Sequence, residues 1–352
     1  MPGFKVTFVY SVLTSFIRND IEILNNMNVS LSQIRSNPYK DFLYFFINRF
    51  KEFFKSILFI PKSQLVICWF CDYHGLIPLI LSKLFKKKFV VIVGGYDAVS
   101  YKELKYGVFQ KRNLRSKIAS FIYNYATEIW VVHKSLKDGC KNSKNLLNID
   151  SGIKTFLKNL NTEIKEVPTG YDFSFWKPKK TRRNKKTILT VANIDNFQTF
   201  KRKGLPQFIE LARNLNNFKF TIVGLSKKMI LEIEKPKNIT LIGKVNSNKL
   251  VELYSENFFY YQGSIIEGLP NVLCEAMLCE CIPIGNNVFG ISDAIGDTGF
   301  IFQGFKELNK VKIFLQSKID LNGKKARERI KKKYPLSKRV NTYKILLGEA
   351  KL

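Results

Sequence analysis

Two hydrophobic patterns alternate along the chain. Short runs of consecutive apolar residues predict buried strands, and segments in which apolar residues recur every three or four positions predict helices. This alternation is typical of parallel α/β units. The predicted strands are 5–10, 65–70, 89–93, 128–132 and 166–168, followed by 187–192, 219–223, 239–242, 258–261, 282–284 and 299–302. The predicted helices include 15–25, 41–59, 79–84 and 205–215.

The strands form two series, one on either side of the basic stretch 179–186, which is too charged to belong to a core. A chain of 352 residues is long enough for two cores, because single hydrophobic cores stop growing at about 250–300 residues. We therefore expect two Rossmann-like domains that meet at a cleft, with ligands at the carboxyl ends of the strands.

The segment 264–277 carries the strongest chemical signal. It follows a predicted strand and opens a helix, so Glu267 is expected in the intervening loop, facing the cleft. Gly268 permits close approach of a ligand, and Pro270 suits the first helical turn, whose free amides can bind phosphate oxygens. The Glu275 carboxylate suits two adjacent ribose hydroxyls. Either glutamate taken alone could instead be an ordinary acid favoured by the helix dipole.

This segment resembles the E-x7-E motif of the group 1 (family 4) retaining glycosyltransferases. The block 275–284 is similar to the EAMACG-x-PV block of that family, with Glu280 in place of its usual glycine. The stretch 167–172 resembles the PNGVD segment, and 201–204 resembles the lysine–glycine step after the first strand of the C-terminal domain. Residues 326–339 resemble the closing helices, so the resemblance covers nearly the whole chain.

The resemblance implies the α/β fold called GT-B, in which two Rossmann-like domains face each other across a cleft. Residues 1–177 would form the acceptor-binding domain, and 178–335 would bind a nucleotide sugar. A C-terminal helix at about 336–352 would cross back to the N-terminal domain.

The resemblance also implies roles for residues of the C-terminal domain. Glu267 would hold hydroxyls of the donor sugar, and Lys203 would neutralise the departing diphosphate, which a preorganised cation stabilises. Arg202 or Lys201 could supply a second cation, because Asn193 stands where the family often carries an arginine. The remaining donor-binding residues would be Glu275 at the ribose and, near the diphosphate, Gly268, Leu269, Pro270 and Asn271.

The N-terminal domain departs from the family at one marker. The family commonly carries His-Gly-x-Asp, whereas this chain has Gly94 and Gly95 before Tyr96 and Asp97. Asp97 is retained and is expected to be catalytic, whereas Gly94 cannot supply the imidazole of the usual histidine. Gly94, Gly95 and His74 are expected on the acceptor side, although for His74 a purely structural role is favoured.

We expect transfer of a hexose-type sugar from a nucleoside diphosphate sugar to a hydroxyl, with retained anomeric configuration, in surface polysaccharide or lipopolysaccharide assembly. No cofactor or metal is implied, since the chain lacks the Asp-x-Asp metal motif of the other glycosyltransferase fold. Two alternatives remain: a GT-B-type sugar-nucleotide epimerase or phosphorylase, and a basic nucleic-acid-binding protein. No recognised nucleic-acid motif supports the second, so nucleic acid is not an expected partner.

Charge and composition bear on partners and location. The chain has 58 Lys plus Arg against 28 Asp plus Glu, a net charge of +30, which attracts polyanions. No apolar run reaches about 18 residues, so no spanning helix is predicted. Six cysteines without a secretion signal favour the cytoplasm, and the Cys68, Cys71 and His74 spacing is interpreted as structural rather than as a zinc site.

The predicted helix 41–59 bears on whether the N-terminal domain attaches to a membrane. Its phenylalanine stripe could lie in a membrane interface, but we favour packing of the stripe onto the N-terminal sheet. Its basic residues, with those at 86–88 and 111–117, predict reversible attachment of the N-terminal domain to the anionic inner face of the cytoplasmic membrane. The acceptor would then be a carbohydrate or a lipid-linked group.

Overall fold

The computed structural model describes residues 3–38, 41–181, 183–317 and 321–349. Arg182 of the predicted linker and residues 350–352 of the predicted final helix lie outside the described residues. The strands are β1 Lys5–Tyr10, β2 Ser30–Arg35, β3 Leu65–Trp69, β4 Lys88–Val93, β5 Val99–Ser100, β6 Glu128–Val131, β7 Asp150–Ser151, β8 Glu163–Glu166, β9 Asn184–Ile194, β10 Lys219–Leu225, β11 Ile239–Gly243, β12 Asn257–Gln262, β13 Ile282–Asn286 and β14 Phe300–Phe302.

The helices alternate with these strands. They are α1 Ser15–Asn26, α2 Phe42–Phe59, α3 Leu76–Leu84, α4 Leu114–Tyr125, α5 Ser135–Asp138, α6 Lys141–Leu147, α7 Ile153–Phe156, α8 Phe197–Arg202, α9 Leu205–Arg213, α10 Lys227–Glu232, α11 Ser247–Glu256, α12 Asn271–Leu278, α13 Gly290–Ile295, α14 Leu308–Gln316, α15 Gly323–Lys333 and α16 Leu336–Glu349.

The chain divides into two compact units. The first comprises residues 1–140, 149–169 and 337–352, and the second comprises 141–148 and 170–336. The predicted boundary after residue 177 therefore falls within the second unit. The basic stretch predicted as a linker also lies there, and its last three residues begin β9.

The first unit contains a six-stranded parallel sheet in the order β2-β1-β3-β4-β6-β8. Its central strands β3 and β4 are apolar runs buried on both faces, as expected for a sheet covered by helices on both sides. The edge strand β2 was not predicted, because its polar sequence SLSQIR contains no apolar run. Helix α16 belongs to this unit, so the predicted return of the C-terminal helix is confirmed.

A buried ion pair fixes α16 within the first unit. The Arg339 guanidinium donates to both carboxylate oxygens of Asp20 in α1, at 2.5 and 2.6 Å. It also donates to the carbonyl oxygens of Val167 and Pro168, at 3.0 and 3.1 Å. The indole of Trp69 donates to the same carboxylate at 2.7 Å. Both charged groups of this cluster therefore have several hydrogen-bond partners away from water.

The second unit repeats the architecture with the strand order β11-β10-β9-β12-β13-β14, again entirely parallel. Its core joins the apolar faces of α9 and α14 to the sheet, and the ring of Phe208 contacts those of Phe220 and Tyr261. The prediction of two parallel-sheet α/β domains is confirmed. Each sheet brings the loops that follow its strands to one edge, where the candidate sites lie.

Helix α2 is turned the other way from the prediction. Its expected core stripe is between 40% and 79% exposed and consists of Phe42, Phe46, Phe50, Phe53 and Ile57. The buried residues of the helix are instead Asn48, Glu52 and Ser56, which recur every four positions. The predicted packing of the phenylalanines onto the sheet is therefore wrong, because the polar side of the helix faces the unit.

Candidate functional site

In the second unit, two loops approach each other closely at the carboxyl ends of β9 and β12. Gly204 has a φ of +71°, and a Cβ there would lie 2.1 Å from the carbonyl oxygen of Gly263. Only glycine tolerates both the left-handed backbone and this contact. The backbone N–H of Ile265 donates to the carbonyl oxygen of Arg202 at 3.0 Å. The sequence thus holds the loop containing Lys203 against the loop containing Glu267.

Lys203 and Glu267 form an ion pair between their Nζ and Oε1 atoms. The hydroxyl of Ser264 donates to the same oxygen at 3.0 Å, and the Gln262 side-chain amide lies 3.4 Å from it. Burial alone would raise the pKa of Glu267, but the charges of Lys203 and Arg202 outweigh burial and hold it below its usual value. Burial lowers the pKa of Lys203, and the charge of Glu267 opposes that fall.

The pair is open on one side. The side chains of Lys203 and Glu267 are 16% and 15% exposed. Among the described residues, no hydrogen-bond donor reaches Oε2 of Glu267, and Lys203 has no second carboxylate partner. A ligand hydroxyl can thus reach the carboxylate, and a ligand phosphate can reach the ammonium.

Helix α12 begins directly after this pair. Pro270 occupies the N-cap position, so the first helical amides have no partner within the helix. The preceding turn is held in place because the N–H of Gly290 donates to the carbonyl oxygen of Gly268 at 3.0 Å. Leu269 is buried, and the side chain of Asn271 accepts a 2.7 Å hydrogen bond from the hydroxyl of Tyr171. The amides of this turn can bind an anion.

Glu275 lies in α12 and is 7% exposed. The hydroxyl of Tyr254 donates to its Oε2 at 3.3 Å. Burial raises the pKa of this carboxyl to about 7, and the Tyr254 hydrogen bond opposes the rise. Unlike Glu267, Glu275 is therefore poised to change protonation state near neutral pH, and polar hydrogens of a ligand would favour its ionised form.

Glu280, the departure from the family block, follows α12 with a φ of +65°. This is the left-handed position at which helices commonly end in glycine. The last carbonyl groups of the helix are bound by two arginines: Arg183 contacts those of Cys279 and Glu280, and Arg327 contacts that of Leu278. The glutamate is thus accommodated at the end of the helix opposite to the candidate site.

The other predicted donor-side residues lie nearby but differ in exposure. Arg202 ends α8, next to Lys203, and is half-buried. Asn193 is exposed near the carboxyl end of β9. The structure therefore brings Lys203, Glu267, Gly268, Leu269, Pro270 and Asn271 together around two loops and one helix start.

In the first unit, a pocket of about 410 Å³ opens at the carboxyl edge of the sheet. Its wall carries two arginine–carboxylate pairs. Arg115 binds both carboxylate oxygens of Asp72, and Arg49 lies 2.6 Å from both Glu52 and the Ser36 hydroxyl. Tyr73 and Tyr96 flank Arg115, with ring centroids 5.7 and 5.1 Å from its guanidinium carbon. Polar groups beside aromatic faces suit a sugar-sized ligand.

Asp97 lies beneath this edge and is fully buried. One of its oxygens accepts from the backbone N–H groups of Gly94 and Gly95, at 3.1 and 2.9 Å, and the other accepts from that of Cys71 at 3.1 Å. Burial raises the pKa of Asp97 to about 6, although these hydrogen bonds oppose it. Through these hydrogen bonds Asp97 joins the loops that follow β3 and β4. Its catalytic role stays a prediction.

Gly94 stands in the family's histidine position for a steric reason. A Cβ there would lie 2.4 Å from the ring of Phe70, so no side chain fits while that ring keeps its place. His74 lines the pocket but is 5% exposed, and its Nε2 atom is 2.9 Å from the carbonyl oxygen of Trp69. Burial lowers the pKa of His74. Its geometry is that of a buried, neutral residue anchored to the backbone.

No metal site is found in the part of the chain that the structure describes, if a cluster of three His, Cys, Asp or Glu side chains is required. The thiols of Cys68 and Cys71 donate to backbone carbonyls, and burial raises their pKa values far above the usual range. Sequence reasoning missed other residues: Ser264 and Gln262 beside Glu267, Tyr254 beside Glu275, and the Arg115–Asp72 pair. Of these residues, only Ser264 and Gln262 could have been predicted, because both follow a predicted strand.

The model of a protein family described as "Glycosyl transferases group 1" matches residues 172–333. This range lies within the second unit and includes Lys203, Glu267 and Glu275. The second unit therefore resembles a group 1 glycosyltransferase domain. The predictions of a transferase and of a nucleotide-sugar enzyme class are thereby confirmed. A comparison with curated proteins finds no match.

Solved structures resemble this glycosyltransferase over nearly its whole length. Sucrose-phosphate synthase from Thermosynechococcus elongatus is 13% identical, with a TM-score of 0.68 over 98% of each chain. HepE from Anabaena, solved in complex with UDP and glucose, is 11% identical, with a TM-score of 0.70 over 98% of this chain and 100% of that one. A glycosyltransferase from Rickettsia africae is 13% identical, with a TM-score of 0.67 over 99% and 98%. At such identities the likeness shows the GT-B fold alone.

Proposed function

We propose that this glycosyltransferase is a retaining enzyme of family 4 that moves a hexose from a nucleoside diphosphate sugar to a hydroxyl acceptor. The observation that carries the proposal is the one-sided Lys203–Glu267 pair in front of the start of α12. A carboxylate, an ammonium and the backbone amides at the start of a helix are the groups that a sugar diphosphate requires.

In this proposal, Oε2 of Glu267 accepts hydrogen bonds from donor-sugar hydroxyls while Glu275 accepts those of the ribose. The bond between the anomeric carbon and the diphosphate breaks, and the electron pair leaves with the phosphate oxygen. Lys203 and the backbone N–H groups of Gly268, Leu269 and Asn271 stabilise that charge, since Pro270 has no N–H to donate. The acceptor oxygen attacks from the same face, and its proton passes to the departing phosphate. Arg202 and Asn193 would complete the donor site.

No divalent metal is needed in this scheme, because Lys203 and the helix amides supply the positive charge. Turnover should therefore survive a chelator. The pocket of the first unit would hold the acceptor, with Asp72 and Tyr96 in its lining. Its neighbours Gly94, Gly95 and His74 would shape the wall rather than react. The acceptor would be a carbohydrate or a lipid-linked group in surface polysaccharide assembly at the cytoplasmic side of the membrane.

The first test is thermal stability in the presence of UDP, GDP, ADP, CMP, dTDP and their sugars. Because HepE is described with UDP and glucose, UDP-glucose is the first donor to try. A ligand at 100 times its dissociation constant stabilises the folded state by about 2.7 kcal/mol. The anomeric configuration of the product, read by proton NMR, then decides retention.

Other outcomes would replace the proposal. Turnover of the nucleotide sugar without an acceptor would indicate an epimerase, and phosphate-dependent cleavage of a glycoside would indicate a phosphorylase. No nucleotide binding, together with salt-sensitive binding to generic DNA or RNA, would favour a nucleic-acid-binding protein.

A further inference from the structure

Helix α2 exposes its apolar side and buries its polar side. Phe42, Phe46, Phe50 and Phe54 line the exposed side, and neighbouring rings contact each other at centroid distances of 4.7 Å for Phe42–Phe46 and 4.6 Å for Phe50–Phe54. Helix α3, which packs against α2, adds exposed Ile80 and Leu84. We call these six residues the α2–α3 face. Such a contiguous apolar surface marks an interaction site.

The polar side of α2 is held inward by specific contacts, so the helix is not simply misoriented. The Asn48 side chain donates to the carbonyl oxygen of Asn37 at 3.2 Å, and Arg49 lies between Ser36 and the buried Glu52. Rotating the helix to bury its phenylalanines would break these contacts and expose the wall of the pocket. The apolar side is therefore kept outward by the same contacts that build the pocket.

The charge around the α2–α3 face points to its occupant. Glu52 is the only acid within 42–62 and 76–88, and it is buried against Arg49. Exposed lysines surround the face at Lys51, Lys55, Lys62, Lys83 and Lys86. Aromatic bulk beside lysines is the composition of helices that lie in the interface of an anionic bilayer. No helix among the described residues is long and apolar enough to cross a membrane.

We propose that the α2–α3 face docks the first unit on an anionic membrane surface, with α2 lying in the plane of the bilayer. The phenylalanines enter the boundary between headgroups and acyl chains, and the lysines contact the anionic headgroups. The attachment is reversible and combines apolar insertion with charge, whereas charge alone would leave the phenylalanines in water. This inference concerns the first unit and stands apart from the chemistry proposed for Lys203 and Glu267.

Co-sedimentation with vesicles tests the proposal. The full chain should bind vesicles of phosphatidylcholine with phosphatidylglycerol at low salt, and part of the binding should persist at high salt. The double substitution Phe46→Ser/Phe50→Ser should lower the partition coefficient about tenfold or more, because two buried aromatic side chains are lost. The matched control is Leu231→Ser/Ile313→Ser, which removes two exposed apolar residues of the second unit. It should leave the partition coefficient unchanged.

The depth of insertion gives an independent measurement. In Phe50→Trp, the new tryptophan should be quenched by brominated lipid, whereas Leu231→Trp should not, since the native Trp69, Trp130 and Trp176 are buried. Equal vesicle binding by Phe46→Ser/Phe50→Ser and the native chain would overturn the proposal in favour of charge alone. A native dimer that this substitution converts to a monomer would overturn it in favour of a second copy. Calorimetry with nucleotide on the same variants reports the donor site separately.

Discussion

Each unit of the molecule contains a cation–carboxylate pair withdrawn from solvent, and the two pairs are built differently. In the first unit, Arg339 and Asp20 are 2% and 1% exposed, and backbone carbonyls and the Trp69 indole satisfy their remaining groups. In the second unit, Lys203 and Glu267 are 16% and 15% exposed, and their neighbours all contact one carboxylate oxygen. The first pair is closed and the second is open.

The difference distinguishes a pair that supports the fold from one that can act on a ligand. A closed pair has no capacity left for another molecule, and it is costly to break because the partner that remains is a buried, unpaired charge. An open pair is preorganised and keeps a free oxygen and a reachable ammonium, which can be used when charge develops in a substrate. Substitutions in the two pairs should therefore have opposite effects on stability and turnover.

The largest effect should come from Arg339→Leu. The substitution leaves Asp20 charged and buried, so we expect the first unit to lose about 3–5 kcal/mol of unfolding free energy. The measurement is denaturant unfolding. Adding Asp20→Asn removes the charge and should recover part of the loss. A loss below about 1 kcal/mol in the single variant would show that Arg339 is not the support that its contacts suggest.

Lys203→Ala should show the reverse signature. Without the cation, we expect turnover at saturating donor to fall about 100-fold to 1,000-fold, as when one charge-stabilising group is lost from an active site. Binding of the nucleotide should weaken less than turnover, because Lys203 acts mainly on the transition state. The matched control is Lys201→Ala, an exposed neighbour on α8. If Lys201→Ala rather than Lys203→Ala loses turnover, the roles assigned to this loop are wrong.

The open pair could be predicted from sequence because a local pattern encodes it. Glu267 and Glu275 lie eight positions apart after an apolar strand, and Lys203 precedes a glycine at another strand end. The arginine–carboxylate pair on the pocket wall could not be predicted, since Arg115 and Asp72 are 43 positions apart and meet only through the sheet topology. The closed pair has the same limitation, with 319 positions between its members.

The secondary-structure elements can likewise be divided into those that the sequence predicts and those that it does not. Strands β3 and β4 were predictable because a strand buried on both faces is a continuous apolar run. Strand β2 was missed, since an edge strand with one exposed face needs few apolar residues. For α2, the periodicity gave the stripe correctly but its orientation wrongly. A pattern of period 3.6 identifies an apolar face and assumes that the face turns inward, which the contacts of Asn48 and Arg49 prevent here.

Glu275 tests whether a carboxylate without a cation also belongs to the donor site. Its raised pKa, about 7, means that it is protonated in acid, whereas ribose hydroxyls favour the carboxylate. Affinity for UDP-glucose should therefore fall by up to about tenfold per pH unit below 7. Glu275→Gln should bind about tenfold to a hundredfold more weakly at pH 8, and its affinity should not vary with pH. Calorimetry at both pH values decides, and a pH-dependent variant would exclude Glu275 as the titrating group.

The same group affects stability with a defined sign. Folding raises the pKa of Glu275, so its contribution to stability is complete below the unfolded value of about 4.5 and is lost as the pH rises through about 7. Glu275→Gln does not ionise and avoids that loss. The difference in unfolding free energy between the variant and the native chain should thus favour the variant more at pH 8.5 than at pH 5. A carboxylate whose pKa is depressed by a cation would show the opposite trend.

The smallest expected effect is a gain in stability from Glu280→Gly, a change that leaves both ion pairs intact. Glu280 holds a φ of +65° at the end of α12, where a side chain costs about 1–2 kcal/mol and glycine costs almost nothing. The greater freedom of glycine in the unfolded chain offsets part of the relief, which leaves a net gain of about 0.5–1 kcal/mol. The carbonyl that Arg183 binds is part of the backbone and is retained, so turnover should not change.

The matched control is Asn28→Gly. Asn28 has a φ of +53° in the first unit, and the substitution should gain less stability because asparagine tolerates this conformation. Thermal unfolding measures both. A loss of stability in Glu280→Gly would mean that the glutamate side chain contributes more than its strain costs, and that its presence in place of glycine is a contact rather than a tolerated departure.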